Sequence, residues 1–88
     1  IGDSAGGNAT VVVSQLIGAD PAAVPVLLQV PIFPLVERAI GSASMAAFSE
    51  GFLLTADTMG FFDAAYGADR ADPRGFPILA DHSNAPPT

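Results

Sequence analysis

Apolar residues recur with a helical period from the start of the chain. Ala5, Ala9, Val12, Val13, Leu16 and Ile17 fall at i, i+4, i+7, i+8, i+11 and i+12, one continuous helix face. The run Val11-Val12-Val13 favours a strand locally, because β-branched side chains lose χ1 freedom in a helix. The longer periodicity outweighs it and predicts a helix that stops at Gly18, with Pro21 just beyond. The pattern changes after that. Val26, Leu27, Leu28, Gln29 and Val30 form a nearly unbroken apolar run bounded by Pro25 and Pro31. Without helical spacing, such a run predicts a strand covered on both faces, as in a parallel sheet between helix layers. Pro31 lacks a backbone donor and is expected to end or distort this strand. A helix leading into a strand through a short connection is half of a βαβ unit.

Residues 35–53 are mixed, with a short helix expected from Ser42 to Phe48. The next helix is better specified. Thr55 suits its N-cap, Asp57 its first turn, and Leu54 and Met59 the two sides of a hydrophobic staple. Met59, Phe62 and Tyr66 share a face, flanked by Phe61 and Ala65, and Gly67 ends the pattern. Residues 67–77 read as a loop, and Ile78-Leu79-Ala80 as a short apolar anchor. Only one strand is predicted. A lone strand leaves both edges unpaired, so the rest of the sheet is expected from flanking sequence.

Composition narrows the function classes. Half of the 88 residues are apolar, which suits burial in at most one small domain and argues against disorder. The net charge is -6, with Arg38, Arg70 and Arg74 as the only cations. A basic footprint for nucleic acid is therefore missing. The longest apolar runs are too short to span a bilayer, so no membrane span is expected. The absence of cysteine removes disulfides, a thiol nucleophile and cysteine-based zinc sites. Nothing marks a compartment; a cytoplasmic setting is slightly favoured.

Candidate chemistry is concentrated in Gly2-Asp3-Ser4-Ala5-Gly6-Gly7. This contains Gly-x-Ser-x-Gly, in which a serine sits on a sharp strand-to-helix turn and its hydroxyl projects toward an acyl carbonyl. An amphipathic helix begins directly after the serine and a buried parallel-type strand follows, as such an elbow requires. Gly2 and Gly6 are expected to let strand and helix approach without Cβ atoms. Ser4 is the candidate nucleophile, and the Ala5 backbone N–H the candidate oxyanion donor. The bland alternative is a glycine-rich turn that merely starts a helix. Dinucleotide and P-loop patterns are absent.

A serine hydroxyl needs a base and an orienting acid. His82, the only histidine, lies between Asp81 and Ser83 and reads as a solvated loop residue rather than the base. Asp3 reads as a structural hydrogen-bonding group. Asp72, before Pro73, reads as a turn residue. Phe48, Phe52, Phe61 and Phe62 could line an acyl pocket or simply be core.

Taken together, these segments resemble the hormone-sensitive-lipase-like branch of the α/β-hydrolases, which are carboxylesterases and lipases. Gly2 to Asn8 looks like the branch's nucleophile motif. Gln29-Val30-Pro31-Ile32-Phe33-Pro34 resembles its next strand and exit, where tyrosine is more usual than Phe33. Ser49 to Thr55, with Met59 and Phe62, resembles the lead into its following helix. Ala71-Asp72-Pro73-Arg74, Pro77 to Ala80 and Ala85-Pro86-Pro87 resemble the approach to a further strand. The resemblance implies an α/β fold with a mostly parallel sheet and helices on both faces. Residues 1–88 would be part of its catalytic domain, with 36–70 contributing to a cap. It implies hydrolysis of a small ester through an acyl-enzyme on Ser4, without metal or organic cofactor. The His-Gly-Gly-Gly segment, the triad acid and the histidine are expected outside residues 1–88, so this piece alone is expected to be inactive. A different class stays open: a complete, non-catalytic interaction module whose apolar faces meet a partner. A third is the same fold with another acyl chemistry, transfer or amide hydrolysis.

Overall fold

A computed structural model describes residues 1–20, 24–37, 43–48, 50–51 and 55–88 of the chain; of Met45 it describes the backbone only. Two compact units are present: Ile1–Glu37 with Arg70–Thr88, and Arg38–Asp69.

In the first unit, strand β1 (Gly2–Asp3) leads through Ser4 into helix α1 (Ala5–Ala19). Strand β2 (Pro31–Ile32) pairs with β1 in parallel, Gly2 opposite Pro31 and Asp3 opposite Ile32. The two residues before Ser4 thus supply a strand after all. The expected strand at Val26 to Val30 lies too early, because the ladder is centred on Pro31 itself. Gly2 N–H donates to the Val30 carbonyl at 3.2 Å, and Ser4 N–H to the Ile32 carbonyl at 3.0 Å. Neighbouring residues of a strand direct their polar groups to opposite edges, so the donor that Pro31 lacks would have pointed away from β1. On that far edge Gln29 N–H donates to the Pro87 carbonyl at 2.9 Å, and Gln29 Nε2 reaches the Thr88 hydroxyl at 2.9 Å. Leu27 is 80% exposed, so the expected two-sided cover of this segment is not present among the described residues.

Helix α1 runs one residue past Gly18, with Asp20 N–H closing on the Leu16 carbonyl. The face it buries is also not the one its periodicity picks out. Gly7, Asn8, Val12 and Ser14 are buried, whereas Val13 is 52% and Leu16 47% exposed. Only Val12 belongs to both sets. Close backbone approach explains the difference. A Cβ on Gly7 would stand 3.0 Å from the Ile32 carbonyl oxygen and from Pro34 Cα. A Cβ on Gly18 would stand 2.7 Å from the Asn84 carbonyl oxygen. The small residues face the backbone at Ile32, Pro34 and Asn84, and the bulkier apolar arc is left open. There Ala9 and Val13 line an open groove of about 400 Å³ with Ile1, Val26 and Leu28.

The other side of α1 meets a 3-10 turn, η1 (Pro77–Leu79). Phe76 and Pro77 are the buried residues there, while Ile78 and Leu79 are more than half exposed. The apolar anchor therefore sits two residues earlier than Ile78-Leu79-Ala80.

The second unit holds α2 (Ala43–Phe48) and α3 (Ala56–Tyr66). α2 agrees with the expected short helix. Thr55 caps α3, its hydroxyl accepting from Thr58 N–H at 3.2 Å, and Asp57 lies in the first turn. Gly67 closes it in the left-handed conformation at φ 68°, donating to the Asp63 carbonyl. Leu54 of the expected staple lies outside the described residues. Phe61 and Phe62 meet edge-to-face at 5.8 Å, and no residue of α3 is buried.

Replacing Gly18 by Ala tests the close approach. Overpacking costs about 1–3 kcal/mol, against about 1 kcal/mol gained in helix propensity. Gly18→Ala in the full-length protein should lower the melting temperature by a few degrees; a rise would show that Asn84 gives way freely.

Candidate active site

Serine at a helix start normally adopts an extended backbone and caps the helix with its hydroxyl. Ser4 does neither. Its backbone lies at φ 50°, ψ -114°, and its side chain makes no cap hydrogen bond. Among the described residues only Ser4 and Phe33 have positive φ without being glycine. Such a conformation costs on the order of 1–3 kcal/mol and persists only where the surroundings enforce it. Here three backbone hydrogen bonds do so. Ser4 N–H is spent on Ile32, and the Ser4 carbonyl accepts from Asn8 N–H at 3.0 Å and from Leu35 N–H at 3.4 Å. The side chain is exposed and makes no hydrogen bond among the described residues.

Gly2 is required by this turn. A Cβ there would collide with the Gly6 carbonyl and stand 2.8 Å from the Thr10 hydroxyl oxygen. The same expectation fails at Gly6, where the nearest atom to a Cβ is Asp3 Oδ1 at 4.0 Å. Gly7 is the second tight position.

The Ala5 N–H opens α1 at its positive end, where the first N–H groups have no partner within the helix. No acidic residue occupies that first turn. The hydroxyl of Ser4 and the N–H of Ala5 therefore sit together at a helix N-terminus with free donors, an arrangement suited to stabilising negative charge beside a nucleophile.

The remaining candidates are placed elsewhere. His82 Nε2 bonds the Pro77 carbonyl at 2.6 Å, so the histidine fastens its own loop, and its exposure agrees with a solvated residue. Asp3 is exposed and makes no side-chain hydrogen bond among the described residues, contrary to the structural bonding expected of it. Asp72 builds a turn. Its Oδ1 accepts from Arg74 N–H at 2.8 Å, its carbonyl accepts from Gly75 and Phe76 N–H, and the Arg74 guanidinium grips both carboxylate oxygens. Phe48, Phe61 and Phe62 are largely exposed, so they are not core among the described residues; Phe52 lies outside them. The groove beside α1 does not include Ser4 in its lining. No cluster of metal-ligating side chains occurs among the described residues.

Asn8, which closes the Gly2-to-Asn8 motif without a role of its own in the sequence, is central here. It is 8% exposed. Its Nδ2 donates to the Leu35 carbonyl at 2.5 Å and to the Gly75 carbonyl at 3.0 Å. One amide side chain thus ties α1 to the exit of β2 and to the Asp72 turn. The available signal was a polar residue one position after the glycine pair.

Comparison with known proteins bears on the fold that carries this turn. The α/β-hydrolase-fold family model matches residues 1–88. An ethyl acetate hydrolase of Pseudomonas putida is 38% identical over 92 residues, covering 99% of this chain and 29% of that protein. The carboxylic ester hydrolase LipN of Mycobacterium tuberculosis is 40% identical over 92 residues, covering 91% and 23%. A serine-to-alanine mutant of LAE6, an α/β-hydrolase enzyme from the metagenome of Lake Arreo in Spain, superposes with a TM-score of 0.80. It is 34% identical, over 98% of this chain and 28% of its own. The ester-hydrolase EH1AB1 from the same metagenome, complexed with a bipyridine phosphonate derivative, gives a TM-score of 0.78 at the same identity and coverage. The chain spans less than a third of the length of each of these relatives.

The Arg74 guanidinium, then the Arg74 backbone N–H, hold the Asp72 carboxyl below its ordinary pKa. A lowered folded-state pKa contributes stability above the unfolded value, about 3.9. That contribution is lost as pH falls through the folded value. With Arg74 72% exposed, salt should screen the pair and keep its effect small. In thermal melts of the full-length protein, the gap between wild type and Asp72→Asn should be widest at neutral pH and close toward strong acid. A gap that widens in acid would contradict the turn assignment.

Proposed function

The chain belongs to the α/β-hydrolase-fold family, in its hormone-sensitive-lipase-like branch, and we propose that it carries the nucleophile of a serine carboxylesterase. Ser4 is the nucleophile and the Ala5 N–H one oxyanion donor. The observation that carries this reading is the strained, uncapped Ser4 at the strand-to-helix turn. Strain of this kind is retained where it presents a side chain for chemistry. Support comes from two relatives named as hydrolases of esters and from a third that binds a phosphonate derivative. Tetrahedral phosphonates share the shape and charge of the acyl-transfer transition state.

The reaction follows from these groups. Ser4 Oγ attacks the ester carbonyl carbon while its proton passes to a general base. The carbonyl oxygen becomes an oxyanion beside the Ala5 N–H. Collapse expels the alkoxide, which takes the proton, and leaves an acyl group on Ser4. Water then repeats the sequence, releasing the acid and restoring the hydroxyl. The base and its orienting acid are assigned to the full-length protein outside residues 1–88, since His82 and Asp72 are occupied elsewhere. The Arg38–Asp69 unit is assigned to the enzyme's cap. The substrate is a small ester. The reading as a free-standing interaction module would give the strain at Ser4 no purpose.

In the full-length protein, Ser4→Ala should reduce hydrolysis of a p-nitrophenyl ester by at least about a thousandfold, as loss of the nucleophile does in serine hydrolases. Retained activity in that variant removes Ser4 from the mechanism. The 88-residue chain alone should show no Ser4-dependent turnover, because its hydroxyl lacks a base.

A further inference from the structure

Asn8, Leu35 and Ser4 close a ring of hydrogen bonds. Asn8 N–H donates to the Ser4 carbonyl at 3.0 Å, and Leu35 N–H donates to that same oxygen at 3.4 Å. The Asn8 side chain then donates to the Leu35 carbonyl at 2.5 Å. So both donors to the nucleophile's carbonyl are linked to each other through one amide. The second proton of Nδ2 goes to Gly75 at 3.0 Å, which uses the full donor capacity of the group.

From this ring we infer that Asn8 is a positioning residue for catalysis: its side-chain amide sets the strained conformation of Ser4 by holding the Leu35 strap against it. The inference rests on the reading of Ser4 as nucleophile. Leu35 follows β2 without belonging to it, so the ladder does not fix it. Its 3.4 Å bond to Ser4 is the longest of the three bonds to that residue, and the Asn8 amide is what draws the strap in. With the amide removed, the Ser4 carbonyl keeps the helical donor from Asn8 N–H and loses the support from Leu35. The turn can then relax from φ 50° toward ordinary helix-start geometry, where a serine hydroxyl folds back to cap its own helix. A nucleophile used as a cap is both misdirected and hydrogen-bonded at the wrong site. The side chain of Asn8 is buried and spends both amide protons on the Leu35 and Gly75 carbonyls, so binding of substrate should be little affected.

The test uses the full-length enzyme with Asn8→Ala, and with Gly18→Ala as a control that strains the far end of the same helix. Misplacement of a reacting group by about 1 Å costs about a hundredfold. Asn8→Ala should therefore lower kcat for a p-nitrophenyl ester by about ten- to a hundredfold with KM within about twofold. The Gly18→Ala control should lose a comparable melting temperature and keep its kcat. Asn8→Ser, which retains one shorter-reaching donor, should recover part of the loss, and it serves as the principal variant if Asn8→Ala does not fold. Unchanged kcat in both Asn8 variants, or an equal fall in kcat for the Gly18 control, overturns the inference and leaves Asn8 a packing residue. Failure of the underlying reading is distinguished by Ser4→Ala: if that variant stays active, the nucleophile assignment falls, whatever the Asn8 variants do.

Discussion

Three backbone hydrogen bonds converge on Ser4, and the described architecture of the first unit depends on them. One ties its N–H to β2, one ties its carbonyl to the first turn of α1, and one ties the same carbonyl to the strap after β2. Each bond alone is worth about 1 kcal/mol net, comparable to the strain it opposes. Together they hold a conformation that no single one would. Strand, helix and strap meet at one residue, and that residue is the exposed serine. Structural closure and chemical presentation are thus the same event.

The two tight glycines and the buried asparagine belong to this closure. Gly2 lets β1 pass the first turn of α1, and Gly7 lets α1 pass Pro34. Asn8 then spends both amide protons on carbonyls of segments distant in sequence. The buried side of α1 is therefore built from small and polar groups. Packing there is a matter of backbone approach and hydrogen bonding rather than apolar area, with Val12, Phe76 and Pro77 as the apolar exceptions.

This explains which features were legible in the sequence. The elbow was legible because the turn at the serine needs the glycine two residues before it, Gly2, and the α/β class was legible through the resemblance that the ordered motifs carry. α2, the Thr55 cap and the Gly67 stop were legible because they depend on local hydrogen bonding alone. The buried face of α1 was not, because hydrophobic periodicity counts side chains and is silent on faces packed through glycine. The position of β2 was misplaced because proline was read as a stop, whereas only one edge of a strand needs its donor. The role of Asn8 was invisible for a related reason. Its partners are the carbonyls of Leu35 and Gly75, which carry no side-chain signature.

Covalent trapping tests the central claim that Ser4 is presented as the nucleophile of an ester hydrolase. The full-length protein should be treated with an alkyl fluorophosphonate, and the site of modification located by peptide mass spectrometry. A single adduct on Ser4, formed as esterase activity is lost, is the result this account predicts. An adduct on another residue accompanying that loss, with Ser4 unmodified, would contradict it.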